Sequence, residues 1–282
     1  MDFKLAYSYF KKAIFHTLAS VIKGLESKVG SQAACKIRNF SQKFRGNKVK
    51  FFFDKSNQMF VARDNSRTHF FPTMSRGFGL YSWGIGNRSK AVAESYFLSK
   101  IDFSDQDVVI DCGANFGDLG VWLSDKIDIK NYIAFEPAPK ENLCLKLNFP
   151  EANIKNCGLG NNNSRVITYL NSENADTSYI KPKMYTEEFF SDMITLNHFI
   201  NHSNYKKVKL LKLEAEGFEP EIIDGACDVL HVFEYIAIDG GFERGKLESE
   251  TFSQVSTKLI KRGFDLIATS SNMRGLFKQR VL

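Results

Sequence analysis

From residue 107 onwards, short runs of apolar residues alternate with longer segments of helical periodicity. Such runs are typical of buried strands, and strands that alternate with helices form a parallel sheet with right-handed crossovers. The main strand candidates are 108–112, 132–136, 153–157, 208–214 and 235–239, with helices near 116–126, 140–148, 217–226 and 248–262. Two more strand candidates, 264–269 and 276–282, are close enough to form a hairpin at the sheet edge. We therefore predict an α/β fold with a doubly wound, mostly parallel seven-stranded sheet.

The residues before this alternation predict an N-terminal extension made of helix and β-hairpin. Residues 49–63 contain two β-rich runs around a polar DKSN turn, and residues 89–101 have a helical pattern. The predicted organisation is a basic amphipathic helix and linker over 1–48, a hairpin and helix over 49–100, and a main domain over 101–282.

The first part of this extension carries most of the positive charge. Apolar residues recur at spacings of three and four over 3–29, which predicts an amphipathic helix. Residues 1–50 contain eleven Lys or Arg and two Asp or Glu, in a chain whose net charge is +6. Such a helix docks on its own domain, self-associates or contacts a membrane surface, and nucleic-acid binding is a weaker alternative. Residues 31–48 are polar and predict a linker.

The cysteines and the hydropathy pattern indicate a cellular setting. Five cysteines are widely spaced and form no CxxC pair, which is typical of a reducing compartment. No apolar run reaches the roughly 18 residues that span a bilayer, and lysines interrupt the apolar residues near the N-terminus. We expect a cytoplasmic protein, with a peripheral membrane contact as the alternative.

The strongest local motif is DVVIDCGANFGDLG, over residues 107–120. It predicts a buried strand that ends at Asp111, a turn that contains Gly113 and Gly117, and a helix after it. In an open α/β sheet, ligands bind at the carboxyl ends of strands, and glycine lets the backbone approach a ligand because it has no Cβ. We expect this turn to bind a cofactor.

A second acidic residue, Glu136, ends the next predicted strand, 25 residues after Asp111. A carboxylate there accepts hydrogen bonds from both hydroxyls of a ribose, which indicates an adenosine-containing ligand. The spacing DxGxxxG differs from the GxGxxG of dinucleotide sites, and Asp111 would repel a phosphate. S-adenosylmethionine carries an ammonium and a sulfonium but no phosphate, so it is the predicted cofactor and NAD is the alternative.

Three longer strings resemble, in order and spacing, the FkbM family of S-adenosylmethionine-dependent O-methyltransferases: VVIDCGANFGD, AFEPAPKENLCLKLN and LLKLEAEGFEPEIIDGA. The resemblance extends over roughly residues 90–268. It implies a Rossmann-like methyltransferase fold and a role in polysaccharide biosynthesis. In the third string the family usually has an aspartate, as in IDVEGFE, where this chain has Glu214.

The resemblance also implies roles for individual residues. The turn around Asp111 would bind the methionine end of the cofactor, Glu136 the ribose, and Cys157 with Gly158 would lie near the adenine. The predicted cofactor-binding residues are Asp111, Gly113, Asn115, Phe116, Gly117, Glu136, Pro137, Cys157 and Gly158.

Methyl transfer is an in-line displacement, so the protein must hold an acceptor atom about 3 Å from the methyl carbon. A sugar hydroxyl also needs a carboxylate or histidine to take its proton as the bond forms. The catalytic candidates at predicted strand ends are Glu216, Asp239 and Glu214. For Glu216 and Asp239, a purely structural role is the alternative, such as an acid stabilised by a helix N-terminus.

For several other polar and aromatic residues, the sequence gives only weak evidence of a function. His198 and His202 lie four residues apart but lack a carboxylate at ligand spacing, so we predict no metal site. Arg244 would bind an acidic or hydroxyl-rich acceptor, or form a solvated salt bridge. Tyr81 and Trp83 would stack on a sugar or an adenine, or pack within their own loop.

Three functions are compatible with these motifs. The first is O-methylation of a hydroxyl on a sugar, glycan or similar small-molecule acceptor. The second is nucleic-acid methylation, although the chain contains no NPPY or DPPY string and nucleic acid is not an expected partner. The third is a non-catalytic scaffold that binds the cofactor, which the departure at Glu214 leaves open.

Overall fold

The computed structural model describes residue 24 and residues 27–171, 176–203 and 205–280. Most of the amphipathic helix predicted over 3–29 lies outside the described residues, and so do residues 281 and 282 at the end of the last predicted strand. The chain forms two compact units, one within residues 1–85 and one over residues 86–282. No helix within the described ranges has the length and apolar content needed to cross a membrane.

The described residues of the first unit form a three-stranded antiparallel sheet and two helices. The predicted hairpin is confirmed, and a third strand that was not predicted pairs with its second strand. The elements are α1 (Ser31–Phe44), β1 (Lys50–Asp54), β2 (Met59–Arg63), β3 (Thr68–Phe71) and α2 (Met74–Leu80). Its core is aromatic, since Phe51, Phe71 and Phe78 are fully buried and in mutual ring contact.

The linker predicted over 31–48 is wrong, because α1 occupies most of it. The buried face of α1 consists of small or polar residues, among them Ala34 and Gln42, so it lacks the large apolar residues by which a core-facing helix is usually recognised in a sequence. Side-chain amides provide specific contacts instead: Asn39 donates to and accepts from the backbone of Phe51, at 2.8 and 2.7 Å. The helix is therefore held in part by hydrogen bonds that a hydropathy pattern does not contain.

The second unit is built on the predicted seven-stranded sheet. Its strand order is β15-β16-β12-β11-β4-β5-β6, and all neighbours are parallel except at β16, which runs antiparallel to β12 and β15. The strands are β4 (Val109–Cys112), β5 (Tyr132–Phe135), β6 (Asn153–Lys155), β11 (Val208–Leu213), β12 (Phe233–Asp239), β15 (Phe264–Thr269) and β16 (Arg274–Gln279). The predicted C-terminal hairpin is confirmed, with only β15 at the sheet edge.

The helices predicted near 89–101, 116–126, 140–148, 217–226 and 248–262 are also confirmed, and all but the one near 140–148 are shorter than predicted. A further helix, over 196–201, was not predicted. The helices are α3 (Ile85–Ser95), α4 (Asp118–Leu123), α5 (Pro139–Asn148), α6 (Leu196–Asn201), α7 (Glu219–Asp224) and α8 (Phe252–Lys261). From β4 the chain proceeds outward through β5 and β6, and then returns to start β11 on the other side of β4. The carboxyl ends of β4 and β11 therefore lie at the switch point where open α/β sheets bind ligands.

An inserted sheet, which was not predicted, separates β6 from β11. Its order is β7-β10-β8-β9, and β8 and β10 pair antiparallel along most of their length. The strands are β7 (Gly158–Gly160), β8 (Ser164–Asn171), β9 (Asp176–Ser178) and β10 (Glu187–Thr195), and a small hairpin, β13 (Phe242–Arg244) with β14 (Ser249–Glu250), follows β12. Only two residues of each long strand, β8 and β10, are buried, so the pattern of a buried strand does not apply to them.

Candidate functional site

The predicted glycine turn after β4 is a compact loop with three residues in the left-handed region. Gly113, Asn115 and Gly117 have φ values of 73°, 52° and 93°. The amides of Gly113 and Ala114 both donate to the carbonyl oxygen of Phe135 at 3.1 Å, so the turn is tied to the end of β5. Asparagine tolerates this conformation better than most residues other than glycine, which suits Asn115 to the centre of the turn.

The two glycines are required by contacts within the protein. A Cβ on Gly113 would come 1.9 Å from the carbonyl oxygen of Glu214, and one on Gly117 would come 2.4 Å from the Phe149 ring. The glycines thus let the β4 turn pack against the β11 turn and against the residue that follows α5. That they also let a ligand approach the backbone stays a prediction.

Glu136 joins the turn to the end of β5. Its side chain is buried, and its two carboxylate oxygens accept hydrogen bonds from the amides of Asn115 at 2.8 Å and Ala138 at 2.9 Å. Burial, together with the charge of nearby Glu141, raises the pKa of Glu136 to about 8, although the two amide hydrogen bonds oppose this shift. The acid predicted to bind a ribose thus lies beside the turn predicted to bind the rest of the cofactor.

A buried lysine that the sequence analysis did not assign connects β4 and β11. Lys212 is 3% exposed, and its ammonium nitrogen lies 3.1 Å from Oδ1 of Asp111 and 2.8 Å from Oε2 of Glu214. The same ammonium donates to the carbonyl oxygens of Cys112 and Gly113 at 3.3 and 2.9 Å. The sequence did contain a signal for this role, since Lys212 stands within the apolar run VKLLKLE and a charged residue in a buried strand must be paired.

Lys212 changes the electrostatic argument for Asp111. The carboxylate of Asp111 is compensated by the ammonium and also accepts a hydrogen bond from the Tyr132 hydroxyl at 2.6 Å. The repulsion of a phosphate that was predicted for Asp111 is therefore offset by the charge of Lys212. Burial opposes ionisation of Glu214, but the charge of Lys212 and hydrogen bonding to it hold the pKa of Glu214 at about 2.

Asp239, at the end of β12, belongs to a second ion pair beside the first. Its Oδ2 lies 2.6 Å from Nε of Arg274, and its Oδ1 accepts from the amide of Gly241 at 3.2 Å. Burial and the neighbouring charge of Glu214 raise the pKa of Asp239. The Tyr96 ring lies between the two pairs, 4.9 Å from the Arg274 guanidinium and 5.6 Å from the Lys212 ammonium.

Five charged side chains lie together at the carboxyl ends of the strands. Lys212 pairs with two carboxylates and Arg274 with a third, and we call the five groups the network. Two are cationic and three are anionic, so the formal charge of the network is −1. Its members are Asp111, Lys212, Glu214, Arg274 and Asp239.

The loop after β11 holds the third predicted acid, Glu216, in the left-handed region at φ 48°. The buried carboxylate of Glu219 fixes this loop by accepting from the amides of Ala215 at 2.8 Å and Gly217 at 3.2 Å. Burial raises the pKa of Glu219 despite these hydrogen bonds. The Ser178 hydroxyl, from the inserted sheet, donates to the carbonyl oxygen of Glu216 at 3.1 Å. Glu216 therefore lies where the main sheet and the inserted sheet meet.

Cys157 and Gly158, predicted to lie near an adenine, have an aromatic neighbour that the sequence analysis did not assign. A Cβ on Gly158 would come 1.7 Å from the Tyr179 hydroxyl, so this ring lies directly over the glycine. The Tyr179 ring also packs edge-on against Phe218, with centroids 5.2 Å apart. The remaining predicted residues surround Glu136: Phe116 is buried, and the Pro137 carbonyl oxygen accepts from the side chain of Asn156.

The weaker candidates have structural partners. Arg244 forms a bidentate ion pair with Glu221, at 2.6 and 2.9 Å. The rings of His198 and His202 lie 4.2 Å apart, and no group of three or more possible metal ligands exists within the described ranges. Tyr81 is buried against Phe71 in the first unit.

The part of the chain that contains the acidic strand-end residues described above matches a known protein family. The model of the methyltransferase FkbM domain matches residues 111–266, which begin at the end of β4 and end within β15. The chain belongs to the FkbM methyltransferase family. The match includes the first of the three strings from Asp111 onwards, the other two strings in full, and every predicted cofactor-binding and catalytic residue.

A curated relative and several solved structures are also similar to this FkbM chain. Methyltransferase 1 of Beauveria bassiana (strain ARSEF 2860) is 26% identical over 151 residues, which are 45% of this chain and 61% of that protein. The aligned part thus spans less than two thirds of the relative's length.

Among solved structures, an rRNA methylase from Streptococcus thermophilus has 11% identity and a TM-score of 0.38, over 67% of this chain and 97% of its own. A TehB-like SAM-dependent methyltransferase from Corynebacterium glutamicum has 12% identity and a TM-score of 0.38, over 69% and 95%. These values are too low to transfer a substrate.

The residues of this FkbM chain fit S-adenosylmethionine. Each carboxylate oxygen of Glu136, which is predicted to bind a ribose, keeps a lone pair beyond its one amide hydrogen bond. The −1 charge of the network at the strand ends suits a ligand that carries a sulfonium and an ammonium. Tyr179 and Phe218 offer aromatic surface beside Gly158, where the resemblance places the adenine.

Proposed function

We propose that this chain transfers the methyl group of S-adenosylmethionine to a hydroxyl of a sugar, glycan or similar small-molecule acceptor. The observation that carries the proposal is the hydrogen bond from the amide of Asn115 to Glu136, which brings the glycine turn and the ribose-binding acid together at 2.8 Å. In this proposal Glu136 binds the ribose and the turn over 113–117 binds the methionine end. The bound cofactor supplies a methyl group on a cationic sulfur.

The protein contributes position and a proton acceptor to this reaction. The acceptor oxygen attacks the methyl carbon as the bond from carbon to sulfur breaks, and the hydroxyl proton leaves to a carboxylate. Glu214 is poorly suited because its pKa is held at about 2 and Lys212 pairs with it. Asp239 is nearly buried and paired with Arg274. We assign the proton acceptor to Glu216, which lines an open pocket.

Isothermal titration of the full chain with S-adenosylmethionine tests the cofactor site. We expect binding, and we expect Glu136→Ala to weaken it by about 1–3 kcal/mol, because the hydrogen bonds between its carboxyl group and the ribose are lost. Glu136→Gln keeps one acceptor oxygen and provides a second variant should the alanine variant unfold. Glu151→Ala, which removes an exposed carboxylate elsewhere in the same unit, is the matched control and should bind as the wild type does.

A second measurement separates the proposal from its rivals. Formation of S-adenosylhomocysteine with carbohydrate acceptors supports hydroxyl methylation. Cofactor binding without turnover on any acceptor would favour a non-catalytic scaffold, and turnover only on RNA or DNA, with strong salt dependence of binding, would favour nucleic-acid methylation.

A further inference from the structure

A pocket of about 290 Å³ lies between the inserted sheet and the β13–β14 hairpin, and Glu216 is part of its wall. We propose that this pocket is the acceptor site and that it selects an uncharged, polyhydroxylated acceptor over a phosphorylated one. This inference rests on the proposed function, because it assigns the substrate class of the same active site.

The pocket is continuous with the catalytic loop. Glu216 carries a proposed catalytic side chain and is fixed to the inserted sheet through the hydrogen bond from Ser178 at 3.1 Å. A Cβ on Gly217 would come 2.5 Å from Cα of Arg244, so the hairpin packs directly on the loop. Arg244 also donates to the carbonyl oxygen of Gly217 at 2.6 Å while it pairs with Glu221. The hairpin that forms one side of the pocket is therefore held against the loop that contains Glu216. An acceptor in the pocket would lie between the two.

The charges that line the pocket favour acceptors without negative charge. Among the described residues that line it, three are glutamates, Glu216, Glu243 and Glu248, and one, Lys183, is cationic. A phosphate group would enter against this excess of negative charge, with little screening over distances shorter than a Debye length. Carboxylates accept hydrogen bonds from hydroxyl groups, so the same residues suit a polyhydroxylated molecule. Repulsion of the wrong ligand, as well as attraction of the right one, gives such a site its specificity.

The pocket also has an apolar surface of the kind that carbohydrates use. Phe242 and Met184 both line it, and their side chains are 61% and 72% exposed. Exposed apolar side chains beside polar groups are typical of ligand sites, where they cover the C–H face of a ring. The combination of an aromatic face with several hydrogen-bond acceptors matches a sugar ring more closely than a purely apolar acceptor.

Saturation-transfer NMR on the full chain with S-adenosylhomocysteine bound tests this inference. The probes are a panel of neutral methyl hexosides and the corresponding hexose 6-phosphates. We expect saturation transfer to at least one neutral hexoside and no competition from its 6-phosphate. In the double variant Glu243→Gln/Glu248→Gln, affinity for the 6-phosphate should rise about tenfold or more as two negative charges are removed.

The matched control is the double variant Glu94→Gln/Glu151→Gln, which removes two exposed carboxylates of the same unit outside the pocket and should change neither affinity. Phe242→Ala should abolish transfer to the neutral hexoside. The inference is overturned if no neutral hexoside binds, if the 6-phosphates bind the wild type equally well, or if the control variant has the same effect. Titration with S-adenosylhomocysteine shows which of the two proposals fails. If the chain does not bind S-adenosylhomocysteine, the proposed function is wrong. If it binds S-adenosylhomocysteine but does not prefer the neutral hexosides to their 6-phosphates, only the inference about the acceptor is wrong.

Discussion

Lys212 and Asp111 are direct partners in the register of the neighbouring parallel strands β11 and β4, and their charged atoms lie 3.1 Å apart in the protein interior. The pair joins the strand ends on the two sides of the switch point. The same ammonium reaches Glu214 and the carbonyl oxygen of Gly113, so one side chain organises both loops that the FkbM motifs form. We regard it as a positioning residue, since it acts through the groups that it holds.

The variant Lys212→Met should lose about 3–5 kcal/mol of unfolding free energy, because it leaves the buried carboxylate of Asp111 without its counter-charge. Urea denaturation measures this loss. Lys207→Met is the control: Lys207 pairs with Glu234 at the surface, and the loss there should be at most about 1 kcal/mol. The double variant Asp111→Asn/Lys212→Met should recover part of the stability. Equal losses in Lys212→Met and Lys207→Met would contradict this account of the pair.

The pKa of Glu136 predicts a pH dependence of stability. A folded-state pKa near 8, above the ordinary value of 4.5, means that the folded protein retains a proton that the unfolded chain has released. The stability contributed by this group is therefore fully present below about pH 4.5 and is lost as the pH rises towards 8. Urea denaturation from pH 5 to 9 should show a steeper decline in the wild type than in Glu136→Gln, by up to about 1.4 kcal/mol per pH unit. Parallel profiles would show that Glu136 is already ionised in the folded protein at pH 5.

Gly113→Ala should be strongly destabilising, by about 3 kcal/mol or more, because the new Cβ would meet the Glu214 carbonyl oxygen in a left-handed backbone. Gly86→Ala, in α3, is the matched control in the same unit, since nothing lies within 4 Å of its Cβ position. There alanine should be neutral or stabilise by about 0.4–1 kcal/mol. Thermal unfolding of the two variants measures the contrast, and a tolerated alanine at 113 would mean that the two loops do not pack as described.

The proposed role of Glu216 predicts an effect on turnover without an effect on cofactor binding. Glu216→Gln should lower kcat by about 10²–10⁴, which is the range for loss of a general base, and should leave the Kd for S-adenosylmethionine unchanged. The rate of S-adenosylhomocysteine formation with any acceptor of the wild type is the readout. A larger loss in Asp239→Asn with little change in Glu216→Gln would move the proton acceptor to Asp239.

The sheet and its strand ends were predictable because strands such as β4 and β5 are short apolar runs that end at a polar residue, Asp111 and Glu136 respectively. Three features were not predictable from such patterns. Helix α1 buries small and polar residues, the long strands of the inserted sheet bury only two residues each, and the role of Lys212 depends on partners that lie about a hundred residues away in sequence. The packing contact that requires glycine at position 113 could not be predicted either, because the atom that leaves no room for a Cβ belongs to Glu214, about a hundred residues later in the sequence.

The site was predictable to the extent that its residues lie at strand ends. Strand order brings Asp111, Glu214 and Asp239 to one edge of the sheet, and local motifs predict those positions. Whether each acid is exposed, paired or buried depends on side chains from other elements. The pairing of Asp239 with Arg274 and the contact of Ser178 with Glu216 are of this kind.

In our proposal the turn over 113–117 and Glu136 together bind the methyl donor. A crystal structure of the chain with S-adenosylhomocysteine would locate the ligand. We expect the ribose hydroxyls within about 3 Å of the Glu136 carboxyl group and the amino-acid end of the ligand against the turn. Ligand density elsewhere on the protein, with the surface beside Glu136 covered by the chain's own side chains, would contradict the proposal.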